Sequence, residues 1–183
     1  MGLSAKNIEE HLKLYAGYVK NANLIIDTIK EYEDSGKDNT YAINELQRRF
    51  SFEFNGMRNH EYYFTSLVNG PKPLPEDSQL KIAIEKQGKS FTTWLLSFKS
   101  LALTRGIGWA VLYYDKQTNQ LIQSWVDEQH IGQLNGLPWV LGIDMWEHAY
   151  LFDYIPADKK KYVEAFFEAL NWEVIEENFR KAL

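Results

Sequence analysis

The first third of the chain carries apolar side chains at helical spacing. Between Ser4, a favourable N-cap residue, and Gly36, these positions recur every three or four residues and form one stripe. Its members are Ile8, His11, Leu12, Tyr15, Tyr18, Val19, Ala22 and Ile26. A second helical pattern covers residues 41–68, with an irregularity expected near Gly56, and the proline-rich segment 70–75 ends it. We therefore predict two long helices that form an antiparallel hairpin.

After this hairpin, short helical patterns are followed by apolar runs and turn residues. The expected elements are helices over 78–85 and 90–103, strands over 109–114, 121–126 and 138–144, a helix from Glu147, and one or two helices within 158–182. The sequence thus predicts an α+β fold, in which a three-stranded antiparallel sheet is flanked by helices. We expect a helical-hairpin domain over residues 1–70 and an α/β domain over residues 76–183.

Composition excludes several classes of function. The 183 residues include no cysteine, which excludes disulfides, zinc ribbons and thiol catalysis. The net charge is -5 and no long basic block is present, so we expect no nucleic-acid partner. The sequence has neither a signal peptide nor an apolar run long enough to cross a bilayer. These features predict a cytoplasmic protein without a membrane partner.

The polar residues that best indicate chemistry are Asp144 and His148, which directly follow the third predicted strand. A carboxylate and an imidazole that meet at such a turn favour iron, manganese or zinc over calcium. The chain has four histidines in all, and two of them, His11 and His60, lie in the two hairpin helices. A single histidine on an apolar helix face is more often a core residue than a ligand. Three histidines and an aspartate together, however, fit a metal held between hairpin and sheet.

Several strings resemble the iron/manganese superoxide dismutases, in the same order along the chain. They are Asn59-His60 with the aromatics that follow, Gly106-Ile107-Gly108-Trp109, Asp144-Met145-Trp146-Glu147-His148-Ala149-Tyr150, and Asn171-Trp172-Glu173. The resemblance implies an enzyme that converts superoxide to dioxygen and hydrogen peroxide, with one manganese or iron ion per subunit. The metal ligands that it implies are His11, His60, Asp144 and His148.

The resemblance also implies roles around the metal. Tyr18 matches the tyrosine of the substrate funnel, Trp109 and Trp146 would wall the metal pocket, and Lys159 takes the place of the funnel arginine. Gln129 would bond the solvent molecule on the metal.

The combination of Gly56, four residues before His60, with Gln129 favours manganese. Some members of the family use a histidine at the position of Gln129, and His130 is its neighbour. Iron therefore stays open as the alternative metal.

A homodimer follows from the same resemblance. In the family, the glutamate at the position of Glu147 crosses the interface to the ligand histidine of the partner subunit, and we expect Tyr150 at this interface as well. The chain departs from the family pattern in helix one, where the spacing from His11 to Tyr18 is one residue shorter and Tyr15 stands in place of a histidine. The extended segment that precedes this helix in most members is also missing from the sequence.

Two other classes of function remain as alternatives. A non-haem iron oxygenase would need only two histidines and one carboxylate on one face of the metal, so one histidine would be dispensable. A non-catalytic, metal-stapled dimeric interaction protein would bind metal tightly without superoxide turnover. A staple has no need of Gln129, Tyr18 or Lys159 around the ion, and these residues favour the enzyme.

Overall fold

A computed structural model describes residues 2–183 and confirms the predicted α+β architecture. Two long helices, α1 (Ala5–Asp34) and α2 (Thr40–Leu67), form the hairpin. The side chain of Ser4 accepts a hydrogen bond from the backbone N–H of Asn7 and caps α1, as predicted. The irregularity expected near Gly56 is wrong, because α2 continues through it. Gly56 instead allows close packing of the two helices, since its bare backbone faces the ring of Tyr18.

The buried stripe of α1 is narrower than its apolar pattern indicates. Leu12 and Ile26 were expected to face inward, but 43% and 54% of their surfaces are exposed. Asn7 and Ile25 are buried in addition to His11 and Ala22. A helix in a hairpin packs along a limited stripe, so apolar residues at the margin of that stripe stay in contact with solvent.

The second part of the chain contains the predicted sheet and its flanking helices. Its elements are α3 (Gln79–Lys86), α4 (Phe91–Ala102), β1 (Gly108–Asp115), β2 (Gln120–Asp127), β3 (Trp139–Asp144), α5 (Lys159–Ala169) and α6 (Trp172–Ala182). The helix expected from Glu147 is only the 3₁₀ turn Glu147–Ala149. The carbonyl oxygen of Ala149, the last residue of this turn, accepts a hydrogen bond from the side-chain amide of Asn7.

The sheet has the antiparallel order β2-β1-β3, so β1 is the central strand. Residues from Gly108 to Tyr114 are all buried, because neighbouring elements cover both faces of β1. The register pairs Trp109 with Asp144 and so places the indole beside the carboxylate at one end of the sheet. At Gly108, a Cβ would lie 2.0 Å from the Val126 carbonyl oxygen, and φ is +156°; only glycine fits there.

The hairpin packs directly against this sheet, with Tyr62 of α2 stacked on Trp139 of β3 at 5.4 Å between ring centroids. The division into two domains near residues 70–76 stays a prediction. Among residues 2–183, no helix is both long and apolar enough to cross a membrane.

Candidate metal centre

Four potential metal ligands from separate elements converge at the junction of hairpin and sheet. His11 lies on α1, His60 on α2, Asp144 at the end of β3, and His148 in the following 3₁₀ turn. One ligand atom from each lies within 4.8 Å of all the others. Asp144 Oδ2 is 3.0 Å from His11 Nε2, 3.2 Å from His148 Nε2 and 3.4 Å from His60 Nε2. His11, His60 and Asp144 are completely buried, so this part of the cluster is shielded from bulk solvent.

Backbone and side-chain hydrogen bonds orient these groups. His60 Nδ1 is 2.6 Å from the Gly56 carbonyl oxygen, and donation of its N–H to that oxygen leaves Nε2 free of a proton on the side of Asp144. Asp144 Oδ1 accepts a 2.8 Å hydrogen bond from the backbone N–H of Trp146, and its other oxygen faces the histidines. The hydroxyl of Tyr162 donates to the backbone carbonyl of Asp144 at 2.7 Å. These contacts fix the carboxylate before any ion binds.

The protonation states of the cluster suit a cation. Burial lowers the pKa of His60 to about 4, so its imidazole is neutral at pH 7. Burial by itself would raise the pKa of Asp144, but the charges and hydrogen bonds of His148 and His11 hold it well below its usual range. A neutral imidazole and an ionised carboxylate are the forms that coordinate metals.

Two further features of the cluster fit a metal ion: a buried histidine nitrogen without a hydrogen-bond partner, and the distances between the four ligand atoms. Among the described residues, His60 Nε2 is one of the few buried side-chain nitrogens without a hydrogen-bond partner. Four atoms bound at about 2.1 Å to one ion lie at most about 4.2 Å apart, and the observed 4.8 Å is only slightly larger. Three imidazole nitrogens and one carboxylate oxygen suit iron, manganese or zinc.

A chain of hydrogen bonds runs beside the cluster. The indole N–H of Trp109 donates to Gln129 Oε1 at 2.9 Å, and Gln129 Nε2 donates to the hydroxyl of Tyr18 at 3.0 Å. The rings of Trp109 and Tyr18 each lie 5.1 Å from that of His60, and Trp146 stacks on His148 at 5.6 Å. The structure therefore brings together four residues that were predicted around the metal.

Comparisons with known proteins agree with this geometry. The family model for the C-terminal domain of iron/manganese superoxide dismutases matches residues 75–178. The superoxide dismutase [Fe] of Cupriavidus metallidurans is 35% identical over all of this chain and 91% of its own length. That of Aquifex aeolicus is 33% identical over all of this chain and 86% of its own length. The superoxide dismutase [Mn] of Nocardia asteroides is 31% identical over 94% of this chain and 82% of its own length.

The chain belongs to the iron/manganese superoxide dismutase family. Relatives named for iron and relatives named for manganese match it at similar identity.

The contacts of Lys159, for which the family resemblance implies a place in the funnel, are with groups other than Tyr18. Its ammonium group lies 3.3 Å from the Thr104 carbonyl oxygen and 3.5 Å from that of Gly106, and 5.9 Å from the Trp125 ring. These partners lie in and beside the β1–β2 part of the protein rather than on the hairpin. Within the part of the chain that the structure describes, Lys159 has no hydrogen bond or ring contact with Tyr18.

Tyr150 is largely covered by its own chain: only 3% of its surface is exposed, and its ring packs 5.2 Å from that of Tyr162. Its place at a dimer interface stays a prediction. The exposed side chains that follow it are Leu151 and Phe152. Glu147, next to His148, is exposed.

Two residues that support the site were not assigned a role beside the metal from the sequence. Tyr162 supports the Asp144 backbone, and the side-chain amide of Asn59 donates to the Gln129 carbonyl oxygen at 2.9 Å. The position of Asn59 next to a ligand histidine was a signal that could have been used. No such signal is present in the sequence for Tyr162, because it lies 18 residues after Asp144 on a different element.

Proposed function

We propose that the chain converts two superoxide anions and two protons to dioxygen and hydrogen peroxide at a single manganese or iron ion, held by His11, His60, Asp144 and His148. The observation that carries this proposal is the buried convergence of three imidazoles and one carboxylate in a chain of this family. When bound there, an ion with two accessible oxidation states would supply the redox chemistry of this reaction.

The residues beside the cluster hold a proton and exclude water. Burial, reinforced by the charge of Asp144, raises the pKa of Tyr18 well above its usual range, so the hydroxyl keeps its proton at neutral pH. Because this hydroxyl already accepts a hydrogen bond from Gln129, its own O–H is left to donate to a molecule in the site. The indoles of Trp109 and Trp146 limit the access of water.

Manganese is the metal that we favour. A Cβ on Gly56 would lie 2.5 Å from Tyr18 Cδ1, so no side chain can extend toward the cluster from this position without moving the tyrosine. The amide beside the site is that of Gln129, which hydrogen-bonds both Trp109 and Tyr18. This arrangement matches the manganese-type pattern expected from the sequence.

Separate reconstitution with manganese and with iron tests the proposal. Elemental analysis of each form should give one ion per chain, and superoxide decay should be faster with the manganese form. A protein that holds metal tightly but leaves superoxide decay at the uncatalysed rate would support the non-catalytic metal staple instead. Faster decay with the iron form would reverse the metal assignment and leave the reaction in place.

Replacement of Gln129 by alanine should lower activity by about 10- to 100-fold and retain the metal, because the variant leaves all four ligands in place but removes the support of Tyr18. Gln123→Ala is the matched control, since this amide donates to Ser97 and does not contact Tyr18. Superoxide decay and metal content should be measured for both variants. Unchanged activity in Gln129→Ala would mean that another group, with His130 as the first candidate, fills the hydrogen-bonding role that we propose for Gln129 beside the metal.

We also propose a homodimer in which Glu147 reaches the ligand histidine of the partner subunit. Its support is the exposed position of Glu147 next to His148, together with the exposed apolar side chains of Leu151, Phe152 and Leu14 nearby in the fold. Sedimentation of the wild type and of Glu147→Ala would test it, and a monomeric wild type would disprove it. The cytoplasmic location stays a prediction, which cell fractionation would test.

A further inference from the structure

The ring of Phe52 forms a second layer outside Tyr18. It lies two helical turns before His60 on α2, and its ring centroid is 5.9 Å from that of Tyr18 and 6.4 Å from that of Trp146. The Tyr18 ring in turn lies 5.1 Å from that of His60. Going outward from the cluster, the order is therefore His60, Tyr18, Phe52.

The guanidinium group of Arg49 covers this outer layer. Its carbon lies 3.7 Å from the centroid of the Phe52 ring, a close cation–π contact. Half of the Arg49 side chain is exposed, so its charge faces solvent at the outer surface of the Tyr18 side of the site. A cation at this place attracts anions from solution.

Glu53 holds Arg49 in position. Its Oε1 accepts a hydrogen bond from Arg49 Nε at 3.0 Å and lies 2.9 Å from Arg49 Nη2 as an ion pair, and only 7% of the Glu53 side chain is exposed. Because Arg49 covers the Phe52 ring and that ring packs against Tyr18, the Arg49–Glu53 pair lies at the outer end of the proposed substrate path.

We propose that Arg49 is a specificity-determining cation that draws superoxide toward Tyr18, and that Glu53 fixes its position while weakening its attraction. Lys159, the cation implied by the family resemblance, is instead engaged by the Thr104 and Gly106 carbonyl oxygens. The inference rests on the proposed superoxide dismutation.

The test for Arg49 compares Arg49→Gln with Arg48→Gln. Both variants remove one positive charge from α2, but Arg48 pairs with the exposed Glu45 and does not cover Phe52. At low ionic strength, kcat/KM for superoxide should fall about two- to threefold in Arg49→Gln and by much less in Arg48→Gln. The difference should disappear at high salt, because ions screen steering but do not repair a structural defect. Arg49→Lys should keep most of the wild-type value.

The test for Glu53 uses Glu53→Gln, with Glu45→Gln as the control for net charge. The amide oxygen of glutamine can still accept from Arg49, so the guanidinium stays in place while its charge is no longer cancelled. We expect kcat/KM to rise about twofold in Glu53→Gln and to change less in Glu45→Gln.

Specific results would overturn the inference. They are equal effects of Arg49→Gln and Arg48→Gln, a loss that persists at high salt, or no increase in Glu53→Gln. If Arg49→Gln loses metal or secondary structure, the kcat/KM values of Arg49→Lys and Glu53→Gln are used to test the inference instead. A wild-type protein without superoxide turnover would reject the proposed function itself, so the two failures can be told apart.

Discussion

Replacement of His148 by alanine should leave less than about a tenth of an ion per chain and lower superoxide turnover by a factor on the order of a thousand, because one of only four proposed ligands is lost. Asp144 would keep its contacts with His11 and His60, but those three groups can supply only three donor atoms. The same variant should weaken the dimer, since the carboxylate of the partner subunit's Glu147 would lose its proposed hydrogen-bond donor. Elemental analysis, superoxide decay and sedimentation measure the three effects.

His130→Ala is the matched control for this prediction. His130 lies 5.7 Å from Phe52, is outside the four-ligand cluster, and its loss removes the same side chain. This control should keep its metal. A His148→Ala protein that is fully dimeric and contains one ion per chain would contradict the ligand assignment.

The second large effect is on stability and involves Glu176 of α6. Its buried carboxylate accepts hydrogen bonds from the Ser78 hydroxyl at 2.7 Å and from the backbone N–H groups of Gln79 and Leu80 at 2.9 and 3.2 Å. A side chain of the last helix thereby caps the first turn of α3. Glu176→Gln replaces one acceptor oxygen by an N–H₂ group that faces these donors. We expect a loss of about 2–3 kcal/mol in the free energy of unfolding.

Thermal and denaturant unfolding of the two proteins measures this loss, which corresponds to a decrease in Tm of about 5–10 °C. Glu177→Gln is the control, because Glu177 lies on the exposed side of the same helix and only its 3.6 Å pair with Lys181 is affected. Its cost should stay below about 1 kcal/mol. Equal costs for the two variants would mean that the buried hydrogen bonds contribute little.

The same carboxylate predicts a dependence on pH. Burial opposes its ionisation, but the bonds from Ser78, Gln79 and Leu80 outweigh burial and hold the pKa of Glu176 below its usual value of 4.5. A lowered pKa means that the folded state favours the ionised form. The contribution is therefore complete above pH 4.5 and is lost as the pH falls through the lower folded-state pKa. The difference between wild type and Glu176→Gln should shrink in that range.

The fold was accessible from the sequence because it depends on local patterns, and the grouping of His11, His60, Asp144 and His148 was accessible through the family resemblance. Helical spacing predicted both hairpin helices, and the specific string from Asp144 to Tyr150 carried the family resemblance. The orientation of Tyr150 was not accessible. The chain there forms a single 3₁₀ turn, which changes the direction of the following side chains, so that Tyr150 packs inward and Leu151 outward.

Contacts between elements that are far apart in the sequence could not be predicted either. The bond from Tyr162 to the Asp144 backbone and the place of Glu53 near Tyr18 depend on how helices pack around the sheet, which residue spacing does not encode. The same is true of Lys159. Its position in the sequence matched the funnel cation, but its ammonium group binds two backbone carbonyls instead.

The burial of the cluster has a consequence for how the protein acquires its ion. His11 and His60 belong to the hairpin, Asp144 belongs to the sheet, and all three are inaccessible to solvent. If these residues bind the ion as we propose, we expect it to enter and leave mainly while hairpin and sheet are apart. Exchange would then be slow in the folded protein, and the ion found after purification would reflect the supply during folding more than the relative affinities of manganese and iron.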